Sequence, residues 1–431
     1  MLNIIFDATW ITNYFQKDST RSGIFFVAWS ILKALQERND VRIALYIDPK
    51  LSGKGAKIQK DLFPNLDYIF DYKSHPKLIA INLWLWKYHQ KKYKHIFLRK
   101  PFALGMVLTR MLLKKVMRNH LNIEILNQAD VYLSPAYCVP ELIRKMSKTT
   151  NFIVLHDAIP YLFPEINSIK WALEGVFSST HNNSDYFFCD SQQTLLDYKR
   201  LHLITADKKA TVVYWAADEI FCPQKNIVQK KETFIKYHIP ETKRYVFSLC
   251  SIEPRKNLIR AVRSFITFIE KNKIDDLVWV MGGGQWNSFA KEMKRKKIKW
   301  NPKYIIRAGY IDDEDLPILY SNAEWFVYTS QYEGFGLPPL EAMQCGCPVI
   351  TSNNSSLPEV VADAGIMIDW DSDEQHIEAY ERYYFDEELR NENSRKGIER
   401  AKFFSWKKTV EKMISEMKSK SRTKKHLDKL P

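Results

Sequence analysis

Short apolar runs rich in β-branched residues alternate along the chain with longer stretches in which apolar residues recur at helical spacing. In the first half the short runs are Leu2–Phe6, Val41–Ile47, Val131–Leu133, Phe152–Leu155, Tyr186–Cys189 and Thr211–Tyr214. In the second half they are Tyr245–Cys250, Leu277–Met281, Tyr304–Arg307, Trp325–Tyr328 and Pro348–Ser352. Strands that alternate with helices in this way predict βαβ units and therefore parallel sheets.

Three helices can be placed among these strands from their apolar spacing and capping residues. One covers Gly23–Gln36, and Ser191 is a good N-cap for a second. A third, over Asn257–Asn272, keeps apolar residues on one face: Leu258, Val262, Phe265 and Ile269. The two series of strands are joined near residues 216–232, where the chain becomes polar. The pattern therefore predicts two α/β domains.

The composition narrows the class of protein. The 431 residues are 45% apolar and 26% charged, which excludes a disordered or low-complexity chain. No run approaches the roughly 20 apolar residues of a membrane-spanning helix, and the start, MLNIIFDATW, does not read as a signal peptide. Six scattered cysteines are too few for a disulfide scaffold. We expect a cytoplasmic protein.

The net charge of +14 is concentrated in two places, the lysine-rich end of the chain and residues 72–123, where twelve cations occur without a single acid. Within this window basic residues recur at helical spacing beside an apolar stripe. The basic residues are Arg110, Lys114 and Arg118, and the stripe is Leu108, Leu112 and Val116. A basic amphipathic segment of this kind is typical of helices that bind anionic membranes.

We therefore expect residues 72–123 to hold the protein on the inner face of the cell membrane. The alternative is a pair of helices that caps the first sheet and exposes a solvated basic face. Nucleic acid is not expected as a partner, because no recognisable reader module accompanies the charge.

The stretch from Tyr332 to Leu357 carries the most specific chemical pattern. Glu333 and Glu341 are separated by seven residues that include the loop Gly334–Leu337 and a double proline. Glycines let a backbone approach a ligand closely, and the N–H groups at a helix start favour phosphate. The two carboxylates suit hydroxyl groups on either side of that phosphate. An ordinary strand–loop–helix corner is the alternative.

With this run the sequence resembles the retaining nucleotide-sugar glycosyltransferases of family four, the glycosyl transferases group 1, and within them bacterial O-antigen and polysaccharide mannosyltransferases. The resemblance is dense from Tyr245 to Asp369. It implies the GT-B fold, in which two Rossmann-like α/β/α domains with parallel sheets face each other across a cleft. It also implies that Glu333 contacts the donor sugar, Glu341 the ribose, and the amides of Gly334, Phe335, Gly336 and Leu337 the diphosphate.

Further donor-site residues follow from the same resemblance. The segment SLCSIEPRKNL places Arg255 and Lys256 where cations can hold a diphosphate, although the Gly-Arg pair common in the family is replaced by Leu249-Cys250. Gly309 begins the segment that lines the nucleobase. The acids Asp312, Asp313, Glu314 and Asp315 suit a helix N-terminus, and no metal site is expected.

The first domain contributes two residues by resemblance. His156, after a predicted strand, approaches the donor hexose, and Gly23 belongs to a loop that nears the diphosphate. The expected division is an acceptor-binding domain over 1–220 with the basic insert at 72–123, a donor-binding domain over 221–400, and a C-terminal helix with a basic tail over 401–431, which packs back on the first domain.

The resulting expectation is a metal-independent, retaining hexosyltransferase without a cofactor. It would transfer a hexose from a GDP- or UDP-sugar to a growing, polyprenyl-linked surface glycan, and mannose is the first candidate for that hexose. Glu333 and His156 are the candidate catalytic residues. Two alternatives remain open, a sugar-nucleotide 2-epimerase with the same architecture and a catalytically silent glycan-binding scaffold.

Overall fold

The protein is described by a computed structural model. It covers residues 1–14, 23–72, 74–90, 96–117, 120–146, 148–164, 185–204, 210–224, 226–251, 253–284, 286–295, 298, 301 and 303–427. Arg118, one of the cations expected on the membrane-facing helix, lies outside these residues.

The first half of the chain forms a seven-stranded, fully parallel sheet in the order β3-β2-β1-β4-β5-β6-β7. Its strands are β1 Leu2–Asp7, β2 Val41–Tyr46, β3 Asp67–Tyr68, β4 Val131–Ser134, β5 Thr150–Leu155, β6 Asp185–Cys189 and β7 Ala210–Val212. Every residue of the central strands β4 and β5 is buried. That burial explains their continuous apolar character, because both faces of a parallel sheet are covered by helices.

Nine helices accompany the described part of this sheet. They are α1 Thr9–Tyr14, α2 Gly23–Gln36, α3 Ser52–Lys57, α4 Pro76–Gln90, α5 Ile96–Met117, α6 Ile123–Gln128, α7 Glu141–Arg144, α8 Ile159–Leu162 and α9 Gln192–Arg200. Pro49–Leu51 is a 3₁₀ turn, and Ile58–Leu62 is a π-helical turn. Ser191 caps α9 as predicted, since its hydroxyl accepts a hydrogen bond from the Thr194 amide at 3.0 Å.

The second half forms a six-stranded parallel sheet in the order β10-β9-β8-β11-β12-β13. The strands are β8 Arg244–Leu249, β9 Leu277–Gly282, β10 Ile305–Gly309, β11 Trp325–Tyr328, β12 Val349–Ser352 and β13 Ile366–Ile368. The helices are α10 Ile227–Lys236, α11 Leu258–Asn272, α12 Trp286–Arg295, α13 Leu316–Ser321, α14 Leu337–Gln344, α15 Leu357–Val361, α16 Asp373–Phe385 and α17 Glu387–Ala401. Pro254–Lys256 is a 3₁₀ turn before α11.

The last helix, α18 at Trp406–Leu427, returns to the first sheet and packs against α2 and β5. Its Lys418 Nζ lies 2.7 Å from Asp40 Oδ2, and Glu411 Oε1 lies 3.4 Å from Arg38 Nη1. The indole rings of Trp406 and Trp215 stack with centroids 5.7 Å apart. The chain thus crosses from the first sheet to the second and back.

The basic window folds mainly into α4 and α5, which pack on each other. Asn82 Nδ2 donates to Thr109 Oγ1 at 2.8 Å between the two helices. One face of α5 is buried through Met106, Leu113 and Met117. The opposite face exposes a contiguous apolar stripe, which consists of Leu104, Val107, Leu108, Met111 and Leu112. No described helix is both long and apolar enough to cross a bilayer.

Candidate functional site

The candidate site begins at Glu333, in the loop that follows the carboxyl end of β11. Its side chain is buried, and Oε1 lies 2.7 Å from Lys256 Nζ and 3.1 Å from Arg255 Nη1. Burial alone would raise the pKa of this carboxyl. Lys256 and Arg255 outweigh the effect of burial and lower the pKa to about 2. At neutral pH Glu333 is therefore an ionised carboxylate that forms ion pairs with both Lys256 and Arg255.

The two cations, Arg255 and Lys256, lie on the 3₁₀ turn that follows β8, the strand next to β11 in the sheet. Lys256 Nζ also donates to the Tyr328 hydroxyl at 2.7 Å and lies 4.9 Å from the centre of that ring. Arg255 is buried and donates to the Tyr332 carbonyl. The turn ends at Asn257 in the left-handed conformation, with φ of 56°, which asparagine tolerates better than most residues. The turn thus places both cations in contact with the Glu333 carboxylate.

The loop around Glu333 is fixed from below by two serines. Ser355 Oγ accepts the Glu333 amide at 3.0 Å. The Ser356 hydroxyl donates to Phe335 O at 2.6 Å, with Glu333 O at 3.1 Å. These serines hold the carboxylate between its two cations by holding its backbone.

The glycines of the loop allow a close approach of the two halves of the molecule. A Cβ on Gly334 would lie 2.3 Å from the His156 carbonyl oxygen, so this position admits no side chain. Gly336 has φ of 115° and precedes α14. Since Pro338 and Pro339 have no N–H, Leu337 supplies the only amide among the first three residues of that helix. A Cβ on Gly23 would lie 4.0 Å from Leu337 Cδ1.

The Phe335 ring is part of the core rather than of the site. It is buried, with its ring centre 6.2 Å from that of Tyr214 and 5.8 Å from that of Phe404. Only the backbone of Phe335 is therefore available to a ligand.

His156 lies at the end of β5, opposite Gly334. Burial lowers its pKa to about 4, so the imidazole is neutral at pH 7. Its Nε2 lies 2.6 Å from the Pro135 carbonyl oxygen, and that geometry assigns the proton to Nε2. The ring therefore offers Nδ1 as a hydrogen-bond acceptor for a substrate hydroxyl.

Glu341 lies one turn into α14, on the side of Tyr320. The Tyr320 hydroxyl donates to Glu341 Oε2 at 3.0 Å. Burial raises the pKa of the Glu341 carboxyl to about 7. This carboxyl therefore changes charge in the physiological range, unlike Glu333.

Gly309 ends β10, two strands from the Arg255–Lys256 turn, and has φ of 75°. A Cβ added there would meet no atom within 4 Å, so space is open beside this backbone. The neighbouring acids are paired with a cation, since Lys236 Nζ lies 2.6 Å from carboxylate oxygens of both Asp312 and Asp315. Within the described ranges no three His, Cys, Asp or Glu side chains form a group that could hold a metal ion.

Residues 229–400 match the family model of the glycosyl transferases group 1. This part of the chain is a glycosyl transferases group 1 domain. It contains Glu333, Glu341, Arg255, Lys256 and Gly309, whereas His156 and Gly23 lie before it.

Curated relatives of the chain include two Escherichia coli proteins. O-antigen chain mannosyltransferase B is 36% identical over 177 residues, which is 40% of this chain and 45% of that protein. Serotype-specific mannosyltransferase WbdA is 27% identical over 267 residues, or 60% of this chain and 32% of WbdA. The aligned part of the chain thus spans less than half the length of either relative.

Solved structures extend the likeness to the whole chain. WaaG, a glycosyltransferase involved in lipopolysaccharide biosynthesis, superposes with a TM-score of 0.61 at 14% identity, covering 96% of this chain and 99% of WaaG. Anabaena HepE in complex with UDP and glucose gives 0.63 at 13% identity, covering 97% and 100%. The fold is therefore GT-B, and the prediction of two facing Rossmann-like α/β/α domains is confirmed.

Within this fold the residues named from the sequence fall into two groups. Glu333, Arg255 and Lys256 are in direct contact, and Gly334 and Leu337 lie against His156 and Gly23 of the first domain. Glu341 and Gly309 lie further along the second domain, on α14 and β10.

Several residues that hold Glu333, Lys256 and Glu341 in place were not identified from the sequence. Tyr328 receives Lys256, Tyr320 binds Glu341, and Ser355 and Ser356 hold the Glu333 loop. The two serines lie within the run that was singled out, but nothing in a serine pair indicates which backbone it will bind. The tyrosines lie in β11 and α13, where their apolar neighbours make them look like core residues.

The raised pKa of Glu341 predicts that the affinity for the donor depends on pH. If its carboxylate receives the ribose hydroxyls, the ionised form is the better acceptor, and the neutral form dominates below its pKa of about 7. We expect the KM for the donor to fall as the pH rises from about 6 to about 8. Steady-state kinetics of the wild type and of Glu341→Gln check this, since the variant should lose the dependence. An identical pH profile in both proteins would remove Glu341 from donor binding.

Proposed function

We propose that this chain is a retaining glycosyltransferase that transfers a hexose from a nucleotide diphosphate sugar to a growing, polyprenyl-linked surface glycan. Mannose is the hexose that we propose first. The observation that carries the proposal is the buried Glu333 carboxylate, held by Arg255 and Lys256 beside a loop that packs against His156. The mannosyltransferase relatives support the choice of sugar, and HepE with bound UDP and glucose supports a nucleotide-sugar donor.

The charges of the site suit a leaving diphosphate. Negative charge on the diphosphate grows as the bond to the sugar breaks, and a fixed cation nearby stabilises it most in the transition state. Tyr328 binds Lys256, and the Tyr332 carbonyl accepts a hydrogen bond from Arg255. These contacts restrict the positions of both cations.

A front-face displacement fits the remaining groups. In such a reaction the leaving diphosphate takes the proton of the acceptor hydroxyl, the new glycosidic bond forms on the face that the diphosphate leaves, and no strong protein base is needed. Glu333 and the neutral His156 would position the hexose, since each offers an acceptor atom to a sugar hydroxyl.

The proposal includes independence from divalent metal ions. Two cationic side chains would do the work that Mg²⁺ does in metal-dependent transferases, and Asp312 and Asp315 both form ion pairs with Lys236. We expect most of the turnover to survive excess EDTA, measured as nucleoside diphosphate release. Complete loss that Mg²⁺ or Mn²⁺ restores would contradict this part of the proposal.

One experiment separates the proposal from its two alternatives. The purified chain is mixed with a panel of GDP- and UDP-hexoses, and thermal shift, nucleoside diphosphate release and the recovered sugar are measured. A glycosyltransferase is stabilised by its donor and releases the nucleoside diphosphate. A 2-epimerase would return an epimerised sugar, and a silent scaffold would show no shift with any donor.

Membrane association belongs to the same proposal. The stripe on α5 exposes Leu104 at 61% and Met111 at 64%, on a segment that carries twelve cations and no acid. Apolar side chains that enter the interface, on a basic segment attracted to anionic headgroups, would place the enzyme beside a lipid-linked acceptor.

The apolar stripe gives a specific test of membrane binding. We expect the wild type to bind vesicles of phosphatidylglycerol and not of phosphatidylcholine, and Leu108→Asn with Met111→Asn to abolish binding in a flotation assay. The matched control is Ile227→Asn with Val228→Asn, which alters an apolar pair on α10 that is at least as exposed. Equal binding to both lipids, or an equal loss in the control, would refute the assignment of this surface.

A further inference from the structure

Helix α9 of the first domain touches both halves of the candidate site. The Ser191 hydroxyl, which caps the helix, also donates to the Gly334 carbonyl at 2.6 Å. Six residues later, Asp197 accepts a hydrogen bond from the hydroxyl of Tyr332, the residue before Glu333. The helix is thus bonded to the loop that carries the central carboxylate.

The same helix holds the turn that carries His156. The Tyr198 hydroxyl donates to the Asp157 carbonyl at 3.1 Å, and Thr194 Oγ1 lies 3.4 Å from the His156 carbonyl. Tyr198 is buried, so this contact is shielded from water. Helix α9 therefore contacts both the turn that carries His156 and the loop that carries Glu333.

The N-terminus of α9 is capped from the opposite domain. The Glu359 carboxylate accepts the Gln192 amide at 2.8 Å and the Gln193 amide at 2.7 Å, one with each oxygen. The Tyr214 hydroxyl donates to the same carboxylate at 3.1 Å. A carboxylate at a helix N-terminus satisfies free amides and meets the positive end of the helix dipole.

Glu359 lies on the short helix α15, directly after the serines that fix the Glu333 loop. Ser355 and Ser356 bind the backbone of Glu333 and Phe335 from this segment, and Glu359 binds α9 from it. One segment of five residues therefore grips both the central loop and the first-domain helix.

We propose that Glu359 is an interdomain positioning residue, whose bidentate cap on α9 holds the His156–Asp157 turn and the Tyr332–Gly334 segment at their working separation. Removal of the cap releases the first-domain helix and loosens both segments together. The kinetic consequence rests on the proposed function, whereas the structural coupling does not.

The test uses the full chain and compares Glu359→Ala with Asn226→Ala. Asn226 is a matched control, because its side chain also accepts two first-turn amides, those of Val228 and Gln229, but within one domain. Hydrogen exchange followed by mass spectrometry reads the peptides over 192–194 and 330–336. We expect exchange in both peptides to rise at least about tenfold in Glu359→Ala, the scale of one lost cap, and in neither for the control.

Kinetics supply the second readout. In Glu359→Ala we expect kcat for hexose transfer from the donor found active to fall about tenfold, with the donor KM changed less than about threefold, because Lys256 and Glu341 stay in place. Glu359→Gln keeps one acceptor oxygen, and its kcat should lie between those of the wild type and Glu359→Ala. It also serves as the test variant if the alanine protein does not fold.

Faster exchange at 192–194 alone, with 330–336 unchanged, would show a purely local cap and overturn the inference. Unchanged kcat in a folded Glu359→Ala protein would overturn it as well. Coupled exchange in a chain that transfers no sugar from any donor would uphold the positioning of the two segments and count against the proposed function instead.

Discussion

Replacement of Glu333 by alanine is expected to lower kcat by at least about 10²-fold, because in the proposed reaction the carboxylate would contact the donor hexose most tightly in the transition state. Glu333→Gln keeps the shape and removes the charge, and should lose nearly as much. Turnover of the purified variants, measured as nucleoside diphosphate release with saturating donor, checks both. Turnover at the wild-type rate in a folded variant would exclude Glu333 from the site.

The stability of these variants must be measured beside their activity. Loss of one partner from a buried ion pair costs about 3–5 kcal/mol when the remaining charge has no other partner. In the Glu333 variants Lys256 keeps its hydrogen bond to Tyr328, and Arg255 keeps its hydrogen bond to the Tyr332 carbonyl. The decrease in the free energy of unfolding should therefore be smaller. Glu324→Ala is the control, since Glu324 also binds two arginines, Arg244 at 3.6 Å and Arg390 at 3.4 Å, away from the site.

Replacement of Lys256 by alanine should act on both kinetic constants. We expect a raised donor KM and a lowered kcat, with kcat/KM reduced at least about 10²-fold, because the charge of the leaving diphosphate grows along the reaction. Initial rates over a range of donor concentrations separate the two effects.

The control for this variant is Lys271→Ala, which removes an exposed lysine that binds Glu381 at 2.8 Å in the same domain. It should behave as the wild type. Kinetics of Lys256→Ala that match those of Lys271→Ala would place the diphosphate anchor elsewhere.

The strands of both sheets were predictable to a large extent from local pattern. Each of the eleven predicted strands overlaps one in the structure, because buried parallel strands are short, apolar and β-branched. β3 and β13 were not predicted. They contain two and three residues, too few for a periodic signal.

The contacts of the site were less accessible from the sequence. The motif names Glu333 and Lys256, but their 2.7 Å contact joins positions 77 residues apart. The bond from Gln192 to Glu359 spans 167 residues, and no local propensity indicates it. Likewise, the bond between His156 Nε2 and the Pro135 carbonyl, which leaves Nδ1 as the acceptor nitrogen of the ring, joins positions 21 residues apart. Such contacts join residues that lie far apart in the chain, within one domain or between the two, and local sequence does not encode them.

The most direct test of the account is a stoichiometric transfer reaction with a defined product. The wild type is incubated with GDP-mannose and a polyprenyl-linked glycan acceptor. Released GDP is counted against mannose added, and the anomeric configuration of the product is read by NMR. We expect one mannose to be added per GDP released, with the α configuration of the donor retained. GDP release without a new glycoside, or a product of inverted configuration, would contradict it.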